Sequence, residues 1–123
     1  VPAQKLNTIE PICDLTTLHQ KADGDNEYLK DILSSYVSEM PIYAKELMEA
    51  KNSGNYVIMG AQAHKMRSPA ALLGAKEMVK LLSAIEKDCK ENKVENIFDN
   101  IDKVIKLVSD SIAEINKELE WIN

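Results

Sequence analysis

Two imidazoles, His19 and His64, are the side chains of this chain best suited to nucleophilic chemistry near neutral pH. Neither lies in a catalytic motif, because the chain has no glycine-rich phosphate loop and no pair of histidines at i and i+4. Its two cysteines, Cys13 and Cys89, lie far apart, which predicts reduced thiols and neither a zinc site nor a disulfide framework. No metal site is predicted, so any chemistry has to rest on one side chain.

His64 is predicted to project from a helix toward solvent. At about 100° per residue it lies about 140° from the centre of the apolar stripe of that helix, which contains Met59, Ala63, Met66, Ala70 and Leu73. The neighbours of His64 on the exposed side are small or carry one cation: Gly60, Ala61, Arg67, Ser68 and Ala71. The imidazole is therefore open to another molecule, although an ordinary surface histidine is the alternative, and His19 is interpreted as structural or exposed.

Gly60 lies one turn before His64, inside the predicted helix. A glycine in a helix interior costs about 1 kcal/mol relative to alanine. It therefore indicates either close packing of two helices or clearance for a partner, and its angular position favours clearance.

The helix that carries His64 is one of four with a 3.6-residue apolar period. The period predicts helices over about 28–48, 55–73, 75–91 and 94–122, and a short helix over 15–22. Pro41 predicts a kink or brief break in the first long helix, and Trp121 is expected to cover one end of the fold. Because the connections are short, we predict an all-α fold: an up-and-down antiparallel four-helix bundle with a short additional N-terminal helix.

Composition bounds the possible partners. The 123 residues carry 15 Lys and Arg against 20 Asp and Glu, a net charge of −5, and 45% are hydrophobic. This predicts one domain over 1–123, with 1–11 as a loosely ordered lead-in, and a monomer. No basic run and no apolar stretch near 20 residues occurs, so nucleic-acid binding and membrane contact are not expected. The expected location is the cytoplasm, and the expected partner is a protein or a small molecule.

Residues 63–75, AHKMRSPAALLGA, followed by Leu82 and Ile85-Glu86, resemble the signature of histidine-containing phosphotransfer (HPt) domains. The family pattern is A-H-x-L-K-G, two small residues, three variable residues and G-A, and the spacing matches without an insertion. The turn Ser53-Gly54-Asn55 also resembles the turn before the family's histidine helix. The resemblance covers residues 12 to about 120.

The resemblance implies a role for four residues. His64 would be the phosphoacceptor, and Arg67, at a position where the family usually has Lys, would screen the charge of the phosphoryl group. Glu86 stands where the family often has a Gln or Glu that orients the imidazole, and Gly74 would form a structural turn.

The implied function is that of a phosphorelay intermediary without kinase activity. It would accept a phosphoryl group from an aspartyl phosphate of a response-regulator receiver domain and pass it to another receiver aspartate. Docking would use Gly60, Ala61, Ser68 and Ala71. No cofactor is expected in this domain, because Mg²⁺ would be bound by the receiver. Such domains are often the C-terminal module of a membrane-bound hybrid sensor kinase.

One alternative remains open at this stage, and another lacks the residues that it needs. Ser68 replaces a usual glycine beside the histidine, and Pro69 lies within the helix, which favours a degenerate bundle that acts only as a protein-interaction module. An enzyme or a metal-binding bundle would need Glu-x-x-His pairs on facing helices, and none occurs.

Overall fold

Five α-helices form the regular structure of residues 10–122, the part of the chain that this computed structural model describes. In chain order they are α1 (Thr16–Ala22), α2 (Asn26–Ser53), α3 (Tyr56–Leu72), α4 (Lys76–Glu91) and α5 (Ile97–Ile122). The predicted all-α class is confirmed.

Short polar turns set the helix boundaries. The Asp25 side chain caps α2 by accepting a hydrogen bond from the Tyr28 backbone N–H at 3.0 Å. Gly54, with φ of +67°, ends α2, and the Asn55 N–H reaches back to the Ala50 carbonyl at 3.0 Å. The Asn55 side chain in turn caps α3. Because so few residues join α2 to α3, the two helices run antiparallel.

The four long helices surround one core. α2 packs against α3 and α5, α4 packs against the same two helices, and α1 packs against α2. This arrangement confirms the predicted four-helix bundle with an additional N-terminal helix. The core is filled by large side chains with almost no exposed area, among them Leu33, Met40, Leu47, Met59, Met66, Met78, Leu82, Ile85, Ile97 and Ile101.

The segment before α1 is tied to the bundle. The Glu114 carboxylate on α5 accepts hydrogen bonds from the backbone N–H groups of Ile12, at 2.6 Å, and Cys13, at 3.0 Å. The Asp14 N–H donates to the Leu73 carbonyl at 3.1 Å, at the turn between α3 and α4. The lead-in prediction for 1–11 falls largely on residues 1–9, which lie outside the described residues and leave it a prediction.

The expected break at Pro41 and the expected covering role of Trp121 are both wrong. α2 is continuous through Pro41, because the residues on both sides of it, including Met40 and Ala44, are buried against the bundle and hold the helix together. Trp121 does not cover the end of the bundle; it is 86% exposed near the last residue of α5. Ile115 lies on the buried stripe of α5, and at about 100° per residue Trp121 lies about 120° away from it, so the ring points away from the core.

Two buried groups, the Cys13 thiol and the Tyr36 hydroxyl, predict that the protein loses stability at alkaline pH. Burial, with the nearby Glu114 charge, raises the pKa of the Cys13 thiol to about 12. Burial also raises the pKa of Tyr36 to about 12, although a hydrogen bond with Ser111 opposes the shift. Both cysteines are free thiols. An unfolded thiol loses its proton near pH 9 while the folded one keeps it, so the unfolding free energy falls as pH rises from about 9 toward 12.

The effect can be measured by urea denaturation at several pH values, followed by circular dichroism. We expect Cys13 to contribute a slope of about 1.4 kcal/mol per pH unit over this range. Cys13→Ala should be less stable at neutral pH but show a shallower alkaline slope. Equal slopes for the two proteins would contradict this assignment.

Candidate functional site

The exposed face of α3 presents His64 to solvent. The opposite face of the helix buries Met59, Ala63, Met66 and Ala70 in the core. These residues anchor α3, and the His64 side chain remains 69% exposed.

A carboxylate from α4 holds the imidazole in place. Glu86 Oε2 lies 2.8 Å from His64 Nδ1, and its second oxygen, Oε1, accepts a hydrogen bond from Arg67 Nη1 at 2.8 Å. The structure thus brings together three residues singled out from sequence, with Glu86 bridging the other two. Arg67 contacts the carboxylate, and its side chain is 42% exposed, but its Nε atom is buried without a hydrogen-bond partner in the described part of the chain.

The charge state of Glu86 determines the tautomer of the histidine. Partial burial acts to raise the pKa of Glu86, but hydrogen bonds from Arg67 and His64, with the positive charge of Arg67, outweigh it and hold that pKa below its ordinary value. Glu86 is therefore ionised at neutral pH and can only accept hydrogen bonds. His64 Nδ1 must then carry the proton, which leaves the lone pair of a neutral ring on Nε2.

Two small residues allow α3 and α4 to approach each other closely. A Cβ atom added to Gly60 would lie 3.2 Å from Cys89 Cβ, closer than ordinary van der Waals contact. Gly60 lies one turn before His64, and Cys89 lies one turn after Glu86. Close packing of two helices, and not the clearance for a partner that its angular position favours, therefore explains the glycine at position 60. This packing brings Glu86 within reach of the imidazole.

The predicted docking residues lie on one side of α3. Ala61, Ser68 and Ala71 are exposed, whereas Gly60 is half-buried. With His64, Gly60 and Ala61 line an open groove of about 480 Å³ between α3 and α4. We call this the α3–α4 groove; its remaining lining residues are Tyr56, Val57, Glu86, Cys89 and Lys90.

The sequence-based site prediction did not include four residues of this groove: Tyr56, Val57, Cys89 and Lys90. Val57 is 83% exposed and lies two turns before His64 on the same side of α3. The spacing of Val57 from His64, two helical turns, is the sequence signal that could have identified it. Lys90 comes from α4, and only the packing of α4 against α3 brings it to the groove.

The end of the histidine helix depends on a tight contact. α3 continues through Pro69 to Leu72, so the proline does not break it. Gly74 has φ of +65°, and a Cβ atom there would collide with the backbone of Asp14. Gly74 therefore allows the chain before α1 to cross the turn between α3 and α4.

The second histidine has different surroundings. His19, on α1, lies 3.5 Å from Glu118 on α5, and 48% of its side chain is exposed. Across residues 10–122, no group of three or more His, Cys, Asp or Glu side chains could hold a metal ion. Within the same range, no helix is both long enough and apolar enough to span a membrane.

Comparison with known proteins identifies the fold. A scan against protein-family models and a search of curated proteins both return no match. Among solved structures, the chain is similar to histidine-containing phosphotransfer protein B (HptB) from Pseudomonas aeruginosa PAO1, with a TM-score of 0.79. The two chains are 16% identical, and the alignment covers 91% of this chain and 97% of HptB.

The fold is therefore that of a histidine-containing phosphotransfer protein, as the sequence resemblance implied. The similarity extends over nearly the full length of both chains, so it includes the whole bundle and not only the histidine helix.

Proposed function

We propose that this domain is a phosphorelay carrier that accepts a phosphoryl group on His64 and passes it to a receiver aspartate. The observation that carries the proposal is an exposed imidazole with Nδ1 held by a carboxylate. Nε2 has no hydrogen-bond partner among the described residues, so its lone pair is available to an incoming group. The fold of HptB supports the same function.

In the proposed reaction, His64 Nε2 attacks the phosphorus of an aspartyl phosphate on the receiver. The N–P bond forms as the bond between phosphorus and the carboxylate oxygen breaks, and the electron pair leaves with the carboxylate. The ring becomes a phosphorylated imidazolium that keeps its proton on Nδ1. Return of the phosphoryl group to a second aspartate is the reverse of this step.

The neighbouring residues stabilise the charge that develops. Glu86 faces Nδ1 and favours the imidazolium, because a charge-assisted hydrogen bond is stronger than the neutral one it replaces. Arg67 shares the same carboxylate and can turn its guanidinium toward the phosphoryl oxygens. Glu86 would therefore position the nucleophile, and Arg67 would screen the charge of the transferred group.

The receiver would supply the remaining chemistry. We propose that Mg²⁺ is bound by the carboxylates of the receiver and that this domain contributes no metal ligand and no kinase activity. Ala61, Ser68 and Ala71, with Gly60 at the groove, would form the docking contact around His64. Their small side chains leave room for the receiver to reach Nε2.

A partner-independent donor provides the test. Phosphoramidate should phosphorylate the folded domain, and ¹⁵N-resolved NMR of the imidazoles should show the phosphoryl group on Nε2 of His64. Transfer from that phosphoprotein to a purified receiver domain should follow. Absence of label on His64, or label on Nδ1, would contradict the proposal, and a domain that binds receivers without phosphorylation would be an interaction module.

Glu86→Gln should slow the phosphorylation of His64 by about 10-fold, because a neutral amide at Nδ1 stabilises the imidazolium less than a carboxylate does. The rate is measured by quenched-flow labelling from a phosphorylated receiver. Glu91→Gln, an exposed carboxylate at the end of the same helix, is the matched control and should transfer at the rate of the unmodified protein. Equal rates for all three proteins would remove Glu86 from the mechanism.

A further inference from the structure

The charges of this acidic protein are unevenly distributed. Residues 56–93, which include α3 and α4, contain seven Lys or Arg and four Asp or Glu. The rest of the chain contains eight Lys or Arg and sixteen Asp or Glu. The half of the bundle that carries His64 is therefore net positive, although the whole chain has a charge of −5. No Asp or Glu lies between Glu49 and Glu77, a stretch that includes all of α3.

The positive charge is concentrated along one side of α4. At about 100° per residue, four exposed lysines lie between about 40° and 120° from Glu86, the residue that faces His64. We call them the lysine ridge: Lys76, Lys80, Lys87 and Lys90. The acidic residues Glu77, Asp88 and Glu91 lie farther around the helix, between about 140° and 200°. Lys90 therefore lines the α3–α4 groove, and Lys76, Lys80 and Lys87 continue along the same side of α4, whereas these three acidic residues lie farther from the groove.

Two members of the ridge are available to a partner. Within residues 10–122, Lys87 and Lys90 form no ion pair, and Lys90 lines the groove beside His64. By contrast, the nearest carboxylate to the histidine, Glu86, is already bound by Arg67. The rim of the groove thus carries free positive charge next to the apolar surface of Val57 and Ala61.

We propose that the lysine ridge selects receiver domains whose docking surface is rich in Asp and Glu. This inference rests on the proposed function for the identity of the partner. An acidic receiver would be repelled by the overall charge of −5, but the positive face would attract it and orient it toward His64. The apolar groove and the ridge together fit a partner surface with an apolar centre and an acidic edge.

The test uses NMR titration of the ¹⁵N-labelled domain with unphosphorylated receiver domains that range from acidic to basic. The ridge variant is Lys87→Glu with Lys90→Glu. The control is Lys30→Glu with Lys45→Glu, which makes the same change in net charge at exposed positions of α2 without ion pairs among the described residues. α2 is diagonal to α4 in the ring of helices. A Lys87→Gln, Lys90→Gln variant, checked by circular dichroism, removes the charge without reversing it.

At an ionic strength of about 50 mM, we expect the ridge variant to bind acidic receivers at least about 10-fold more weakly, and the control to change by less than about two-fold. The difference should shrink near 1 M salt, where the screening length is about 3 Å. Equal effects of both variants, or no preference for acidic receivers, would overturn the inference. So would ridge-dependent binding to phosphatidylcholine–phosphatidylglycerol vesicles without binding to any receiver.

The titration separates this inference from the proposed function, because it requires no phosphoryl transfer. If acidic receivers bind through the ridge but His64 is never phosphorylated, the proposed function fails and the ridge assignment holds. If His64 is phosphorylated and transfers equally to acidic and basic receivers, the proposed function holds and the ridge assignment fails.

Discussion

His64→Gln should reduce phosphoryl acceptance from a phosphorylated receiver to background, a loss of at least about 10³-fold, since the amide of Gln has no basic nitrogen to attack phosphorus. Gln retains a polar side chain that can reach Glu86, so the fold and the surface that would contact the receiver should be preserved. Radiolabel that is lost in acid and stable in base measures the product. Circular dichroism and NMR titration with the same receiver confirm that the variant folds and binds.

The chain contains its own control for this prediction. His19→Gln makes the same chemical change at the other histidine, which lies against Glu118 without a neighbouring arginine contact. It should leave the transfer rate within about two-fold of the unmodified protein. Label that persists in His64→Gln and disappears in His19→Gln would place the phosphoacceptor on α1 and refute the assignment of the groove.

Gly74→Ala should be the most destabilising single-methyl change in the bundle. Its φ of +65° costs a residue with a Cβ atom about 1 kcal/mol or more. In addition, the new atom would overlap the Asp14 carbonyl and lie 3.1 Å from Asp14 Cβ, which forces the segment before α1 to move. We expect the unfolding free energy to fall by about 3 kcal/mol, measured by urea denaturation.

Gly54→Ala separates the two costs. Gly54 has nearly the same φ, +67°, but a Cβ atom there would meet nothing within 4 Å. We therefore expect a loss of about 1 kcal/mol, from backbone conformation alone. The difference between the two variants measures the steric cost of the contact between Asp14 and the α3–α4 turn. Equal losses would mean that the N-terminal segment yields easily and does not brace that turn.

The two predictions concern different parts of one arrangement. The backbone contact between Asp14 and Leu73 lies just beyond the end of α3, and Glu114 ties the preceding residues to α5. Gly74 thus helps to fix the end of the helix on which His64 stands. Substitution of Gly74 should lower the stability of the bundle, whereas substitution of His64 should abolish phosphoryl acceptance and leave the bundle intact.

Much of the fold follows from periodicity alone. Apolar spacing of three and four residues predicts all four long helices, because burying such a stripe is what stabilises a helix in a bundle. Local turn chemistry places the boundaries at Asp25, Gly54 and Gly74. Angular position also predicts the exposure of His64. The expected break at Pro41 and the expected covering role of Trp121 are wrong, because packing across the bundle keeps α2 continuous and Trp121 lies outside the buried stripe of α5.

The candidate site depends both on the sequence of one helix and on the packing of two helices. By itself, the sequence determined that one histidine would stand on an exposed strip of small residues with an arginine one turn away, because these relations lie within a single helix. Only the tertiary structure decided that Gly60 packs against Cys89, that Glu86 bridges His64 and Arg67, and that Lys90 borders the groove. The reason is that these contacts depend on the separation and rotation of α3 relative to α4, which no single helix period specifies.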